Sequence, residues 1–227
     1  MRVSAVILAA GRGERMGAER NKVLLSLGGQ SVLARTVAAF SAVDAVSEIV
    51  LVVRPGEEAF AAAEIPDGGP RLRVIAGGLR RVDSASAGVR AAEGEIVLIH
   101  DGARPLVSRE LIERVIDGTV RYGACVPVVS VSDTLRRRSE AGDLLPEIVA
   151  RDRLVGMQTP QGFRSALIRK ALSAQESHSA WPDDAAAVFA LGIPVSCVEG
   201  DPLNLKLTTP ADLRLAERLL ATGERQT

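Results

Sequence analysis

The sequence is short of aromatics, of cysteine and of net charge, and each shortage removes a class of function. Aromatics are 3% of the 227 residues, so aliphatic side chains and alanine must build the core that a 47% hydrophobic content allows. Cys125 and Cys197 are the only cysteines, each in an apolar, strand-like run. Both are expected to be buried free thiols, with neither a disulfide framework nor a cysteine metal site. Lys plus Arg and Asp plus Glu balance at 28 each. A general nucleic-acid binder needs a basic excess for its phosphate contacts, and here it is missing. Local cation clusters around a small phosphorylated ligand stay open. No apolar run approaches a membrane span, and no signal peptide precedes the first strand pattern. The expected compartment is therefore the cytoplasm. No G-x-S-x-G and no Cys–His pairing by motif points to a metal-independent nucleophile.

What is present is organised around one stretch. Ser4-Ala5-Val6-Ile7-Leu8 reads as a buried strand. It runs into Ala9-Ala10-Gly11-Arg12-Gly13-Glu14-Arg15-Met16-Gly17, with Lys22 soon after. Glycines let backbone approach a ligand closely, and Arg15 and Lys22 put cations beside it. A strand entering such a loop is a place to hold phosphates. The dinucleotide fingerprint fails because the third glycine falls one residue late. The P-loop fails because no glycine precedes Lys-Ser or Lys-Thr.

Further strands are predicted over 49–53, 72–76, 95–100, 124–131 and 195–199. Helices are predicted after the capping Ser31 and Ser108, over 57–64, 80–92 and 164–174, from Trp181-Pro182-Asp183-Asp184, and after Thr209-Pro210. Residues 23–29 read as a short hairpin, and Gln158 to Phe163 as a loop. Apolar strands alternating with amphipathic helices argue for an α/β fold: a mostly parallel sheet covered on both faces. Ser132 to about Asp152 is polar and extended, with turn chemistry at 139–143, and reads as an exposed hairpin inserted into one domain spanning 1–227. Ligands in open α/β sheets bind beyond the carboxyl ends of the strands. The Gly11 loop, Gly77-Gly78, His100 to Pro105, and Asn204 to Thr208 are expected there. Asp101, directly after a strand, suits ribose hydroxyls or Mg²⁺. His100 reads as an oriented, partly buried histidine.

At these residues the sequence resembles a family. The Leu-Ala-Ala-Gly-x-Gly-x-Arg-Met-Gly loop with Asn21-Lys22 looks like the signature of Rossmann-like, three-layer nucleotidyltransferases. To it are added Gly77-Gly78 with Arg81 and Ser84, His100-Asp101-Gly102-Ala103-Arg104-Pro105, Asp133-Thr134, Gln158 to Phe163, Asp183-Asp184-Ala185 and Asn204 to Thr208. In this order they resemble the 2-C-methyl-D-erythritol 4-phosphate cytidylyltransferases of non-mevalonate isoprenoid synthesis. The resemblance implies Mg²⁺-dependent transfer of a cytidylyl group from CTP to the 4-phosphate of methylerythritol, releasing pyrophosphate. It implies that Arg15 and Lys22 neutralise the CTP phosphates, and that Arg151 and Lys206 position the acceptor phosphate. Thr134 and Arg104, with Asp133, would help bind the acceptor. Ala9, Ala10, Gly11, Gly78 and Ser84 would frame the cytidine, and Asp101 and Gly102 would lie near the ribose, Asp101 also near the metal. The hairpin would be an arm reaching the other subunit of a homodimer, so that Arg151 and Thr134 act in trans. Leu8, Leu79, Pro182 and Leu203 depart from the pattern; Leu79 stands where an acid can contact the base. A ribitol 5-phosphate cytidylyltransferase is the nearest rival, sharing CTP and the arm. A nucleotide-binding regulator without turnover is disfavoured by the presence of Arg15, Lys22, Arg151 and Lys206.

Overall fold

In the computed structural model, residues 1–11, 21–66, 68–174 and 181–223 are described. The apolar runs pair first. β1 (Val3–Leu8) lies between β4 (Val46–Val53) and β6 (Ile96–Asp101), parallel to both, and β5 (Arg71–Ala76) extends the sheet beyond β4. Each of these strands alternates between two faces. Ala5, Ile7, Leu51 and Leu98 point to one cluster, and Val6, Val50, Val52, Val97 and Ile99 to the other. Burial on both faces is what the continuous apolar runs anticipate. α1 (Val32–Ser41) and α4 (Arg109–Tyr122) cover the first face; α3 (Arg81–Ala91), α5 (Ser165–Ser173) and α6 (Ala185–Ala190) cover the second. The short α2 (Glu58–Ala63) links β4 to β5.

The expected caps are formed. Ser31 and Ser108 accept the N–H of Ala34 and Leu111. Thr209 and Asp212 make a reciprocal capping box with Pro210 at the start of α7 (Pro210–Ala221), satisfying amides that the helix itself leaves open. A small hairpin forms later than the predicted 23–29, because Lys22–Leu24 is a single 3-10 turn: β2 (Ser26–Leu27) pairs with β3 (Gln30–Ser31), turned by Gly28 and Gly29 at φ 58° and 83°. Two consecutive left-handed residues match the twist of a tight hairpin, and glycine adopts them without strain.

Four other expectations need correction. Gln158 to Phe163 is not all loop: β9 (Gln161–Arg164) inserts antiparallel between β6 and β7 (Ala124–Ser130), and with β10 (Ser196–Glu199) at the edge this gives an eight-stranded sheet ordered β10-β7-β9-β6-β1-β4-β5, with β8 (Val155–Met157) on β7. The Pro-Gln-Gly composition argues for a loop, but Gly162 lets α4 pack directly on this strand: a Cβ there would sit 2.9 Å from Val115 Cγ1 and closer still to Thr119 Oγ1. The arm is no regular two-stranded hairpin. One bridge, Arg138 to Leu144, holds its tip, and Leu145 N donates to Arg137 O at 2.9 Å. Two bare strands have no sheet to lean on here. Cys125 is buried but Cys197 is exposed, because β10 is an edge strand whose alternate side chains face outward. Burial, with Cys197 nearby, pushes the Cys125 thiol up to about 11. Finally, Trp181 to Asp184 precede α6, which begins at Ala185, and Asp183 Oδ1 accepts the Ala186 N–H at 2.9 Å in the capping role.

Candidate active site

Strand ends build the site. Ala9 N donates to Val52 O, Gly77 N to Val53 O, and Gly102 N to Leu8 O, at 2.7, 2.7 and 2.9 Å. The chain segments leaving β1, β5 and β6 therefore stay in register just beyond the sheet, where a parallel sheet presents ligands. They enclose a cavity of about 440 Å³, floored by Leu8, Ala9, Ala10 and Gly11, walled by Gly78, Ser84 and Asp101, and rimmed by Lys22, Arg54 and Lys206. The glycines are required by space. A Cβ on Gly77 would come within 2.7 Å of Ser84 Oγ and 2.9 Å of Ala10 Cβ, and one on Gly78 would overlap Asp83. Ser84 Oγ accepts the Gly78 N–H at 3.2 Å, tying the glycine corner to the first turn of α3.

The charged floor centres on Asp101, at the end of β6. Lys206 Nζ meets its Oδ2 at 2.8 Å, Arg81 Nε its Oδ1 at 3.4 Å, and Arg104 Nε lies 3.8 Å from Oδ2. Burial pushes the Asp101 carboxyl up, but Lys206 and Arg81, with Arg104, outweigh it and hold the group well below the usual carboxylate range. It is ionised whenever the protein is folded near neutrality. Arg81 makes a two-pronged pair with Asp184, at 3.0 and 2.8 Å. Burial pushes Asp184 upward against the pull of Arg81, and the two acids raise Arg81 above its ordinary value in spite of its burial.

Lys206 reaches this floor because its neighbours point the other way. Leu207 is buried, with Leu205 packed beside it, in the cluster under α7, and Leu207 N donates to Ala103 O at 2.8 Å. Alternation turns Lys206 toward the cavity. Lys22 Nζ donates to Leu207 O at 2.9 Å, so the two lysines sit on adjoining segments. Asn21 is buried and donates to Ala9 O at 2.8 Å, fixing where Lys22 begins.

Behind the floor lies a fixed proton arrangement. His100 is fully buried, edge-on to Phe40 at 4.8 Å. Arg104 O, an acceptor, lies 3.2 Å from Nε2, which therefore carries the proton. Nδ1 accepts from the Thr159 hydroxyl at 3.0 Å, and that hydroxyl accepts the Asp101 N–H at 3.1 Å. Burial lowers the imidazole to about 3, against the pull of Asp101, so the ring is neutral and acts as an orienting group.

Of the residues expected in the site, Ala9, Ala10, Gly11, Lys22, Gly78, Ser84, Asp101 and Lys206 come together around the cavity. Arg104 stands behind Asp101, donating to Asn204 O at 2.7 Å. Gly102 backs the floor, where a Cβ would meet Leu8 O at 3.0 Å. Arg15 lies outside the described residues. Asp133, Thr134 and Arg151 are exposed on the arm and do not line the cavity of their own chain; Arg151 Nη1 donates to Ser132 O across the base of the arm. Leu79 is 96% exposed at the cavity mouth. Arg54, not anticipated, lines the cavity and donates to Gly11 O at 2.8 Å; a cation directly after a strand and before Pro55-Gly56 was its one sequence signal.

Comparison with known proteins fits this geometry. The family model described as IspD, 2-C-methyl-D-erythritol 4-phosphate cytidylyltransferase, matches residues 3–222. A protein of that name from Geobacillus kaustophilus is 40% identical over 98% of both chains. The bifunctional enzyme IspD/IspF of Anaeromyxobacter dehalogenans is 43% identical, and the chain spans 59% of its length. A crystal structure of 2-C-methyl-D-erythritol 4-phosphate cytidylyltransferase from Thermus thermophilus superposes with a TM-score of 0.81 at 39% identity, covering 97% of this chain and 100% of that one.

Proposed function

The chain belongs to the 2-C-methyl-D-erythritol 4-phosphate cytidylyltransferase family, and on that premise we propose that its cavity joins CTP to 2-C-methyl-D-erythritol 4-phosphate, giving 4-diphosphocytidyl-2-C-methyl-D-erythritol and pyrophosphate. The observation that carries this reading is the placing of Lys22 and Lys206 on the rim, with the ionised Asp101 paired to Lys206 in the wall, of a glycine- and alanine-floored cavity at the strand ends.

The chemistry asks for little more. A phosphate oxygen of the acceptor attacks the α-phosphorus of CTP. The new P–O bond forms as the bond to the β-phosphate breaks, and pyrophosphate leaves with the electron pair. The nucleophile is already anionic, so no general base is needed. The obstacle is bringing one polyanion to another, which positioning and fixed cations overcome. Lys22 would neutralise the triphosphate, with Arg15 as its proposed partner. Lys206 would turn to the acceptor phosphate. Backbone groups of Ala9 to Gly11 and Gly78, with Ser84, would frame the base, and the small floor suits a pyrimidine.

Mg²⁺ is proposed as the cofactor. Among the described residues no group of three or more His, Cys, Asp or Glu could cage a metal ion. One ionised carboxylate facing the phosphates fits a cation that is held by one or two carboxylates plus substrate oxygens, and Asp101 is that carboxylate. When bound, Mg²⁺ would supply charge neutralisation on the triphosphate.

A homodimer is part of the proposal. Thr134 and Arg151 stand on an exposed arm, and Leu144 and Ile148 are 70% and 77% exposed beside them. Apolar area of this kind suits a partner surface, where the arm would reach the neighbouring cavity. Among the described residues no helix is long and apolar enough to cross a membrane; free thiols suit a reducing compartment, and the cytoplasm is the proposed one. The test is pyrophosphate release from CTP with methylerythritol 4-phosphate. Turnover is expected with CTP well above ATP or GTP, and with this acceptor above ribitol 5-phosphate. Equal rates with either competitor would contradict the reading.

A further inference from the structure

We propose that Arg81 and Asp184 are positioning residues, which hold the Asp101 carboxylate so that Oδ2 faces the cavity. The proposal deepens the reading above and rests on it. Asp101 has two oxygens and two kinds of partner. Oδ2 is met by Lys206 at 2.8 Å, from the segment that rims the cavity. Oδ1 is met by Arg81 Nε and Nη2 at 3.4 and 3.5 Å, from the start of α3, where Arg81 also lines the cavity wall. Arg81 cannot drift, because Nη1 and Nη2 are gripped by both oxygens of Asp184. Asp184 cannot drift either: its side chain is 2% exposed, and its N–H donates to Gln161 Oε1 at 3.1 Å. The relay thus runs from β9 through α6 and α3 to the end of β6.

Two observations argue against a merely structural pair. Asp184 sits at the start of α6 but does not cap it, since Asp183 does so; its carboxylate is spent on Arg81. A buried ion pair is also a poor way to gain stability, because desolvation offsets most of the attraction and an apolar pair of similar volume serves as well. What an apolar pair cannot supply is a donor aimed at Oδ1. Arginine suits this place because one planar fork serves two acids at once, which a lysine point charge cannot do.

The experiment compares Arg81→Lys and the double variant Arg81→Met/Asp184→Leu with the wild-type chain. The wild type must release pyrophosphate from CTP and methylerythritol 4-phosphate; if it does not, the functional reading fails, not the relay. With an active wild type, kcat/KM for CTP is expected to fall about 10- to 100-fold in both variants, as for other outer partners that orient a ligating group. Calorimetric affinity for CTP should weaken alongside it, while KM for the acceptor changes by less than about twofold and the double variant melts close to the wild type. In an Asp101→Asn background, Arg81→Lys should cost less than about twofold more, because its effect passes through Asp101. Wild-type kcat/KM in either folded variant would overturn the proposal. So would full additivity with Asp101→Asn, which would put Arg81 on the substrate itself. Failure of both variants to fold would make the pair a requirement of the fold and would overturn it too.

Discussion

Two residues show how different the demands on single side chains are. Lys22 is held by a carbonyl, with Nζ 2.9 Å from Leu207 O, an anchor that fixes the ammonium at the cavity rim. Lys22→Ala is expected to lower kcat by roughly 10²- to 10³-fold, as for removal of one preorganised donor, with the melting temperature nearly unchanged; near-normal steady-state kcat would contradict its role. His100 does the reverse, working only while neutral. Its folded pKa of about 3 lies below the ordinary 6.5. The unfolded chain therefore takes up a proton that the folded chain refuses as pH falls below about 6.5. Stability is complete above that pH and drops by about 1.4 kcal/mol per pH unit on the way down. Urea midpoints between pH 7 and 5 should show this slope in the wild type. His100→Gln should flatten it, and an unchanged slope would remove His100 as its source.

At the scale of elements, the decisive piece is β9. It is four residues long and joins the halves of the sheet by pairing with both β6 and β7. Its contact with α4 depends on Gly162 having no side chain, since Val115 and Thr119 fill that space. Gly162→Ala should destabilise by about 1–3 kcal/mol through overpacking, read from the denaturant midpoint. A neutral result would mean that α4 can withdraw at little cost. The consequence reaches the site, because Thr159 and Gln161, which flank the turn into this strand, support Asp101 and Asp184 respectively. The arm is the opposite kind of element. It has one bridge and few internal bonds, and an isolated pair of strands is marginal in water.

At the scale of the molecule, the proposed exchange of arms makes a direct prediction. A two-fold dimer exchanges the same element both ways. Arg151→Ala and Lys22→Ala chains, each impaired alone, should regain activity when mixed. One site of each mixed dimer would carry both lesions and the other neither, so recovery should approach half the wild-type rate per mixed dimer. Differently tagged chains would prove subunit exchange. Proven mixed dimers without recovery would place Arg151 in the site of its own subunit.

Local chemistry determined much of this protein without help from the fold. Apolar runs specified the parallel strands because burial on both faces leaves no room for polar alternation. Ser31, Ser108 and Thr209-Pro210 marked helix starts because open amides need an oxygen. The glycine loop and Asp101 were legible because ligands meet α/β sheets at strand ends, whereas Lys206 took its role from the family resemblance alone. Tertiary structure decided the rest. Gln161 to Arg164 carries too little strand character to be read alone and becomes a strand because β6 and β7 each leave an edge for it. Cys197 is exposed because β10 has a neighbour on one side only. Arg81 and Asp184 stand 103 positions apart, and only the packing of α3 against α5, and of α5 against α6, brings the guanidinium between two carboxylates, where one planar group can hold both.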